Sequence, residues 1–169
     1  MIWSIAVLAA VTLERLAELA LARRNTARLM ARGAVEHSPG QYPLIVALHA
    51  AWLAGLWLLA WNRPIQWGWL ALFGLLQVGR VWVLATLRGR WTTRIITLPG
   101  ETLIRRGPYR LLRHPNYFVV FCEIAVLPLA FGLWLFAAAF TLANSALIAI
   151  RIRAETVALA SLTDAAQPK

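Results

Sequence analysis

Apolar residues gather into four regions along the chain, roughly 2–22, 44–61, 65–87 and 117–150, with polar or basic stretches between them. About 20 helical residues cross the hydrocarbon of a bilayer, so each of the first three regions matches one span. The fourth is too long for one span and slightly short for two. Pro128 and Gly132 offer a break near its middle, because proline removes a helical donor and glycine accommodates a turn. The pattern therefore predicts a hairpin of two short helices there, and five spans in all. The fold class that follows is all-α, a polytopic membrane helical bundle.

Basic residues then orient the bundle. Arg23, Arg24, Arg28 and Arg32 lie in 23–43, seven arginines lie in 88–116, and Arg151, Arg153 and Lys169 follow the last span. Arg63 is the sole basic residue assigned to the opposite side. The positive-inside rule predicts an outer N-terminus and a cytosolic C-terminus, and an odd number of spans requires the same. One domain over 1–169 then divides into three spans (1–87), a cytosolic motif loop (88–116), the helical hairpin (117–150) and a cytosolic tail (151–169).

That orientation puts the costly intramembrane groups in one leaflet. Glu14, Arg15, Glu18, His49, Gln77, Arg80, Glu123 and Asn144 all fall in the cytoplasmic halves of their spans. Ionisable groups at such depth face one another or a wet cavity. Glu14 or Glu18 paired with Arg80 would lock helices together. So many polar groups beneath an arginine-rich loop favour a pocket open to the cytosol instead.

Composition supports the membrane reading, with 60% hydrophobic residues, 14% charged residues and nine tryptophans. The net charge of +10 does not point to nucleic acid, since the basic residues flank spans and no nucleic-acid motif accompanies them. The first apolar stretch has no basic leader and carries Glu14, Arg15 and Glu18, so it is expected to be a span rather than a signal peptide. Cys122 is the single cysteine, and His37 and His49 are too few and too separated for a metal site. The tryptophans fit an interfacial belt and packing roles.

The densest polar chemistry is "RRGPYRLLRHPNY", Arg105 to Tyr117. Pro115 suits the first position of a helix, where its missing N–H costs nothing. The free N–H groups that follow form an anion site at the helix N-terminus. Arg113 adds charge, and His114 and Tyr117 add hydrogen bonds and an aromatic face, which attracts cations. A ligand with a carboxylate at one end and a sulfonium or adenine elsewhere suits this set. Arginine before a span is also ordinary topology punctuation; the histidine–proline–tyrosine cluster at a helix start is what points beyond it.

"GPYRLLRHPNY" resembles the signature of the isoprenylcysteine carboxyl methyltransferase family of integral membrane enzymes. The pattern is matched by Gly107, Tyr109, Arg113, His114, Pro115 and Tyr117, and an arginine followed four residues later by a glutamate is matched by Arg151 and Glu155 in "RIRAET". The resemblance covers roughly residues 75–160. It implies S-adenosylmethionine as cofactor, held by those six motif residues, and catalytic roles for Arg151, Glu155 and His114; Glu123, six residues into the fourth span, is expected to join the cofactor site. Val119 stands where eukaryotic members have glycine, and Thr156 where they have a second glutamate. These departures point away from a prenylated protein substrate.

The N-terminal half, with "ERLAELALARRN" and "ARGAVEHSPGQYPLIVALHAAW", is similar to a small bacterial branch associated with type III polyketide synthases. That likeness implies a bacterial inner-membrane enzyme that O-methylates an alkylpyrone or phenolic lipid arriving from the inner leaflet, with an isoprenylcysteine-like carboxylate as the other acceptor. Methyl transfer is an in-line displacement, so the protein mainly supplies alignment and a dry site. A phenol would need a base, for which His114, Glu155 and His49 are candidates. A phospholipid N-methyltransferase, an NADPH-dependent membrane reductase and a non-catalytic lipid-binding scaffold are the alternative readings.

Overall fold

A computed structural model describes residues 1–102 and 104–165, with side chains to residue 159. Five α-helices carry the fold, as the hydropathy pattern predicts: α1 (Ile2–Met30), α2 (Tyr42–Ala60), α3 (Trp67–Leu87), α4 (Pro115–Ala130) and α5 (Trp134–Ala165). Three segments, Pro39–Ala60, Trp67–Arg90 and Trp134–Leu159, are long and apolar enough to cross a membrane. α4 is shorter at 16 residues, and α1 carries Glu14, Arg15 and Glu18 within its apolar stretch.

The helix ends differ from the ends of the apolar runs. α1 continues past residue 22 to Met30, and the second helix of the hairpin is not short but 32 residues long. At about 1.5 Å per residue α5 extends roughly 48 Å, well beyond a hydrocarbon core of about 30 Å. Hydropathy marks where lipid stops, not where hydrogen bonding stops. Arg151 and Glu155 therefore ride on the same helix that crosses the bilayer. Lys169, part of the basic tail, lies outside the described residues.

α4 packs most extensively, between α3 and α5. The main core joins Leu8 and Val11 of α1, Trp52 and Leu56 of α2, Phe73 of α3 and Ile124 and Leu127 of α4. Pro128 sits inside α4 and cannot donate to the carbonyl of Ile124. The indole Nε1 of Trp52 takes that carbonyl instead, at 3.2 Å, so a defect in one helix becomes a bond to another. Gly132, at φ +69°, makes the turn into α5, and Leu133 N–H closes back on Pro128 O at 3.0 Å.

The loops carry a small sheet that the sequence pattern does not predict. β1 (Val35–His37) pairs antiparallel with β2 (Ile95–Thr97), joining the segment after α1 to the segment after α3. Arg94 Nη1 donates to both carboxylate oxygens of Glu36 at 2.9 Å, and His37 Nε2 meets Thr97 Oγ1 at 2.7 Å. Three-residue strands give too short an alternation to read. Asn25, buried on α1, donates from Nδ2 to Trp91 O at 2.8 Å and Arg88 O at 3.3 Å. That anchors the turn that follows α3.

Candidate functional site

A cavity of about 970 Å³ opens among the end of α1, the segment from Arg90 to Arg105, the motif segment and the end of α5. Of the motif residues, Tyr109, Arg113, His114 and Tyr117 line it, and Arg151 and Glu155 reach it from α5. Residues separated by more than thirty positions thus meet at one wall.

The local backbone explains how. His114 is the N-cap of α4 and Pro115 its first residue, and the imidazole makes no capping hydrogen bond. Its ring is left to face the cavity. Phe118 N–H closes the first turn on His114 O at 3.2 Å. Tyr117 lies one turn on, with its ring centroid 5.7 Å from that of His114. Arg151 donates from Nε to the Tyr117 hydroxyl at 3.3 Å and from Nη2 to Thr93 O at 3.0 Å. Its guanidinium carbon stands 5.6 Å from the Tyr117 centroid. Glu155 Oε2 stands 3.8 Å from His114 Nδ1. Arg151 and Glu155 therefore both turn to α4, where Tyr117 meets each of them, and no ion pair joins the two among the described residues although their four-residue spacing allows one. Burial pushes the Tyr109 phenol up from its ordinary range, with the nearby charge of Glu155 acting the same way. Tyr109 is a neutral donor at physiological pH.

Three residues expected to bind cofactor do not line the cavity. Gly107, at φ +59°, brings the motif against α3; a Cβ there would stand 2.5 Å from Thr86 Oγ1. Pro115 is buried at the helix start. Glu123 belongs to a different cluster. It accepts from Arg80 Nη1 at 3.1 Å and Gln77 Nε2 at 3.0 Å, and faces Arg15 Nη2 at 3.2 Å. Arg80 also donates to Glu18, through Nε to Oε1 and through Nη2 to Oε2 at 2.7 Å, and Arg15 Nη1 donates to Glu18 Oε2 at 2.9 Å. At that depth the charges of α1, α3 and α4 pair with one another, while Arg15 Nε and Gln77 Oε1 are buried without a hydrogen bond. His49, a candidate base, is also outside the lining, with Nδ1 at 2.9 Å from Ile45 O.

Other lining residues escaped the sequence reading. Trp91 is buried, and its Nε1 lies 3.5 Å from Asn116 Oδ1, at the limit of a hydrogen bond. Asn116 fills the variable place of the motif, and Trp91 stands in an arginine-rich loop; neither position carries a periodic signal. Asn25, in the basic end of a helix, was the clue available, since a buried amide needs partners.

Residues 69–161, more than half of the chain, match the Isoprenylcysteine carboxyl methyltransferase (ICMT) family. The chain belongs to that family. It is 35% identical over 158 residues to "Uncharacterized protein YpbQ" of Bacillus subtilis (strain 168), covering 90% of this chain and 94% of that protein. It is 28% identical over 160 residues to an "Uncharacterized protein" of Haemophilus influenzae, covering 88% of this chain and 90% of the other. No solved structure matches. Family membership and the three apolar helices make this an integral membrane protein of a methyltransferase family.

Proposed function

We propose that this chain is an S-adenosylmethionine-dependent O-methyltransferase whose acceptor is a lipophilic molecule entering from the membrane. The observation that carries the reading is the convergence of His114, Tyr117, Arg151 and Glu155 on one cavity. The donor set fits the cofactor. Arg113 and the open N-terminus of α4 suit its carboxylate, Tyr109 and Tyr117 offer aromatic faces, and about 970 Å³ lies at the upper end of the roughly 300–1,000 Å³ of small-molecule sites. Bound there, the cofactor supplies an electrophilic methyl group on sulfur.

The protein's part is alignment and proton handling. Arg151 holds the Tyr117 hydroxyl and ties α5 to Thr93, which fixes the wall against which an acceptor oxygen is oriented. For a hydroxyl acceptor, His114 takes the proton at Nε2, and the Glu155 carboxylate, 3.8 Å from Nδ1, stabilises the imidazolium that results. A carboxylate acceptor needs no such base. The alkylpyrone or phenolic lipid product of a polyketide synthase is the acceptor class that the N-terminal half supports by resemblance. In this reading the N-terminus is outside and the C-terminus cytosolic in an inner membrane, with His114 and Tyr117 on the cytosolic side.

The test is transfer of labelled methyl from S-adenosylmethionine to candidate lipids by the purified protein in detergent. Label on oxygen is expected, together with cofactor binding that weakens strongly in His114→Ala by calorimetry. Label on nitrogen, or tighter binding of NADPH, would overturn the reading. Reporter fusions after Arg63 and after Lys169 should report exterior and cytosol respectively, and the reverse would overturn the topology.

A further inference from the structure

Beside the cavity lies a second recess of about 560 Å³ that shares Leu87, Arg90, Ile104 and Arg105 with it. Arg88, Arg90, Arg105 and Arg106 line this recess, and no carboxylate does among the described residues. Arg90 is already paired, with Nε 2.8 Å from Glu101 Oε2 and Nη2 donating to Thr102 O at 2.9 Å. Arg88, Arg105 and Arg106 are exposed and have no ion pair among the described residues. Three uncompensated cations on one concave surface repel each other until an anion joins them.

The backbone aims one of them. Arg88 caps α3 at φ 51°, a conformation that non-glycine residues rarely adopt, and Asn25 holds the Arg88 carbonyl from below. Such a departure persists where its surroundings impose it, and often where it serves a site. Guanidinium groups present planar forks that match phosphate oxygens. Val78, Val81, Trp82 and Ala85 are exposed at spacings that put them on one face of α3, and that face runs up to Arg88 and Gly89. A hydrocarbon chain along this stripe brings its headgroup to the arginines, and the exposed Trp82, six residues before Arg88, is of a residue type enriched at membrane interfaces. A soluble phosphate would have no use for the stripe.

We propose that the recess lined by Arg88, Arg105 and Arg106 binds the phosphate of an anionic membrane lipid lying along the exposed face of α3. The site does not depend on the methyl-transfer reading. Arg105 belongs to both hollows, so the headgroup also screens charge at the rim of the larger cavity.

The test uses the full chain, delipidated in neutral detergent, with bound lipid counted by native mass spectrometry. Phosphatidylglycerol is expected to bind at least about tenfold more tightly than phosphatidylcholine of the same chains. Each arginine near an anionic lipid surface is worth about fivefold, so Arg88→Gln with Arg106→Gln should weaken binding on the order of twentyfold. Arg153→Gln, an exposed arginine of α5 outside the recess, should leave it unchanged. If the double variant does not fold, Arg106→Gln alone should weaken binding about fivefold. Equal binding of the two lipids, or an equal loss in Arg153→Gln, would mean a diffuse positive field and overturn the site. Displacement of the lipid by inorganic phosphate at similar concentration would overturn the lipid as its occupant.

Discussion

In the buried cluster Arg80 meets Glu18 through both Nε and Nη2 and Glu123 through Nη1, while in the cavity Arg151 meets only a phenol and a backbone carbonyl, and Glu155 stands 3.8 Å from His114. Both regions join arginine and glutamate across helices. In the first, the carboxylates of Glu18 and Glu123 are taken by guanidinium groups, and Arg15 Nε is left without a hydrogen bond. In the second, the contacts are longer, the side chains half-buried, and Arg113 faces the cavity with no ion pair among the described residues. Charges paired across three helices hold those helices together; a charge left unpaired in a cavity is free to meet a substrate. Glu123, expected with the cofactor, belongs to the first region, where Oε1 accepts from Gln77 and Oε2 from Arg80.

The largest effect expected from breaking this contrast is on folding. Arg80→Ala leaves Glu18 and Glu123 buried with Arg15 as their remaining shared partner, and breaking buried pairs in this way costs about 3–5 kcal/mol. Thermal unfolding in detergent should register a large fall in Tm, while methyl transfer per folded molecule stays near wild type. An unchanged Tm would put the cluster in the same category as the cavity.

Arg151→Ala and Glu155→Ala are the mirror-image experiment. A misplacement of about 1 Å can cost on the order of a hundredfold in rate, whereas exposed or half-exposed ion contacts contribute about 0–1 kcal/mol to stability. Turnover should therefore collapse with Tm nearly unchanged. Near-normal turnover in both variants would reduce the pair to helix-end contacts with α4 and Thr93.

Gly107→Ala sharpens the boundary between packing and binding. The residue must hold φ +59° and place a Cβ against Thr86, so a destabilisation of about 1–3 kcal/mol is expected. Because Gly107 does not line the cavity, cofactor affinity of the folded fraction should hold. A selective loss of affinity with intact Tm would return it to the binding set.

The smallest effect is the alkaline limb of stability. Tyr109 has a folded-state pKa above its unfolded value, so the folded protein keeps that proton after the unfolded chain has lost it. The Tyr109 contribution is fully present below about pH 10 and is lost as pH rises through the folded value. Tm should fall above about pH 10, and less steeply in Tyr109→Phe. Identical limbs in the two proteins would place Tyr109 in water.

Much of the architecture was legible because lipid imposes a simple rule. Backbone groups in hydrocarbon must bond within their own segment, so long apolar runs become helices, and Pro128 with Gly132 divides the last run. Of the site, "RHPNY" announced a helix start with free donors, and Arg151 with Glu155 came only through resemblance. The pairing of β1 with β2, the hold of Asn25 on the Trp91 turn and the part of Asn116 were not legible, since each depends on a partner about 20 to 70 positions away.

The sequence by itself determined five helices, the break at Pro128 and the identity of the polar groups that would need partners, because these depend on local hydropathy and on covalent limits of single residues. Tertiary structure alone decided which partners they took. Glu18, Arg80 and Glu123 lie on three helices whose rotations no local pattern sets, and packing turned them toward one another rather than toward a pocket. The same packing carried α5 past the membrane boundary until Arg151 and Glu155 met Tyr117 and His114. Charges in a low-dielectric interior are held by their nearest neighbours, and neighbourhood is a property of the folded chain.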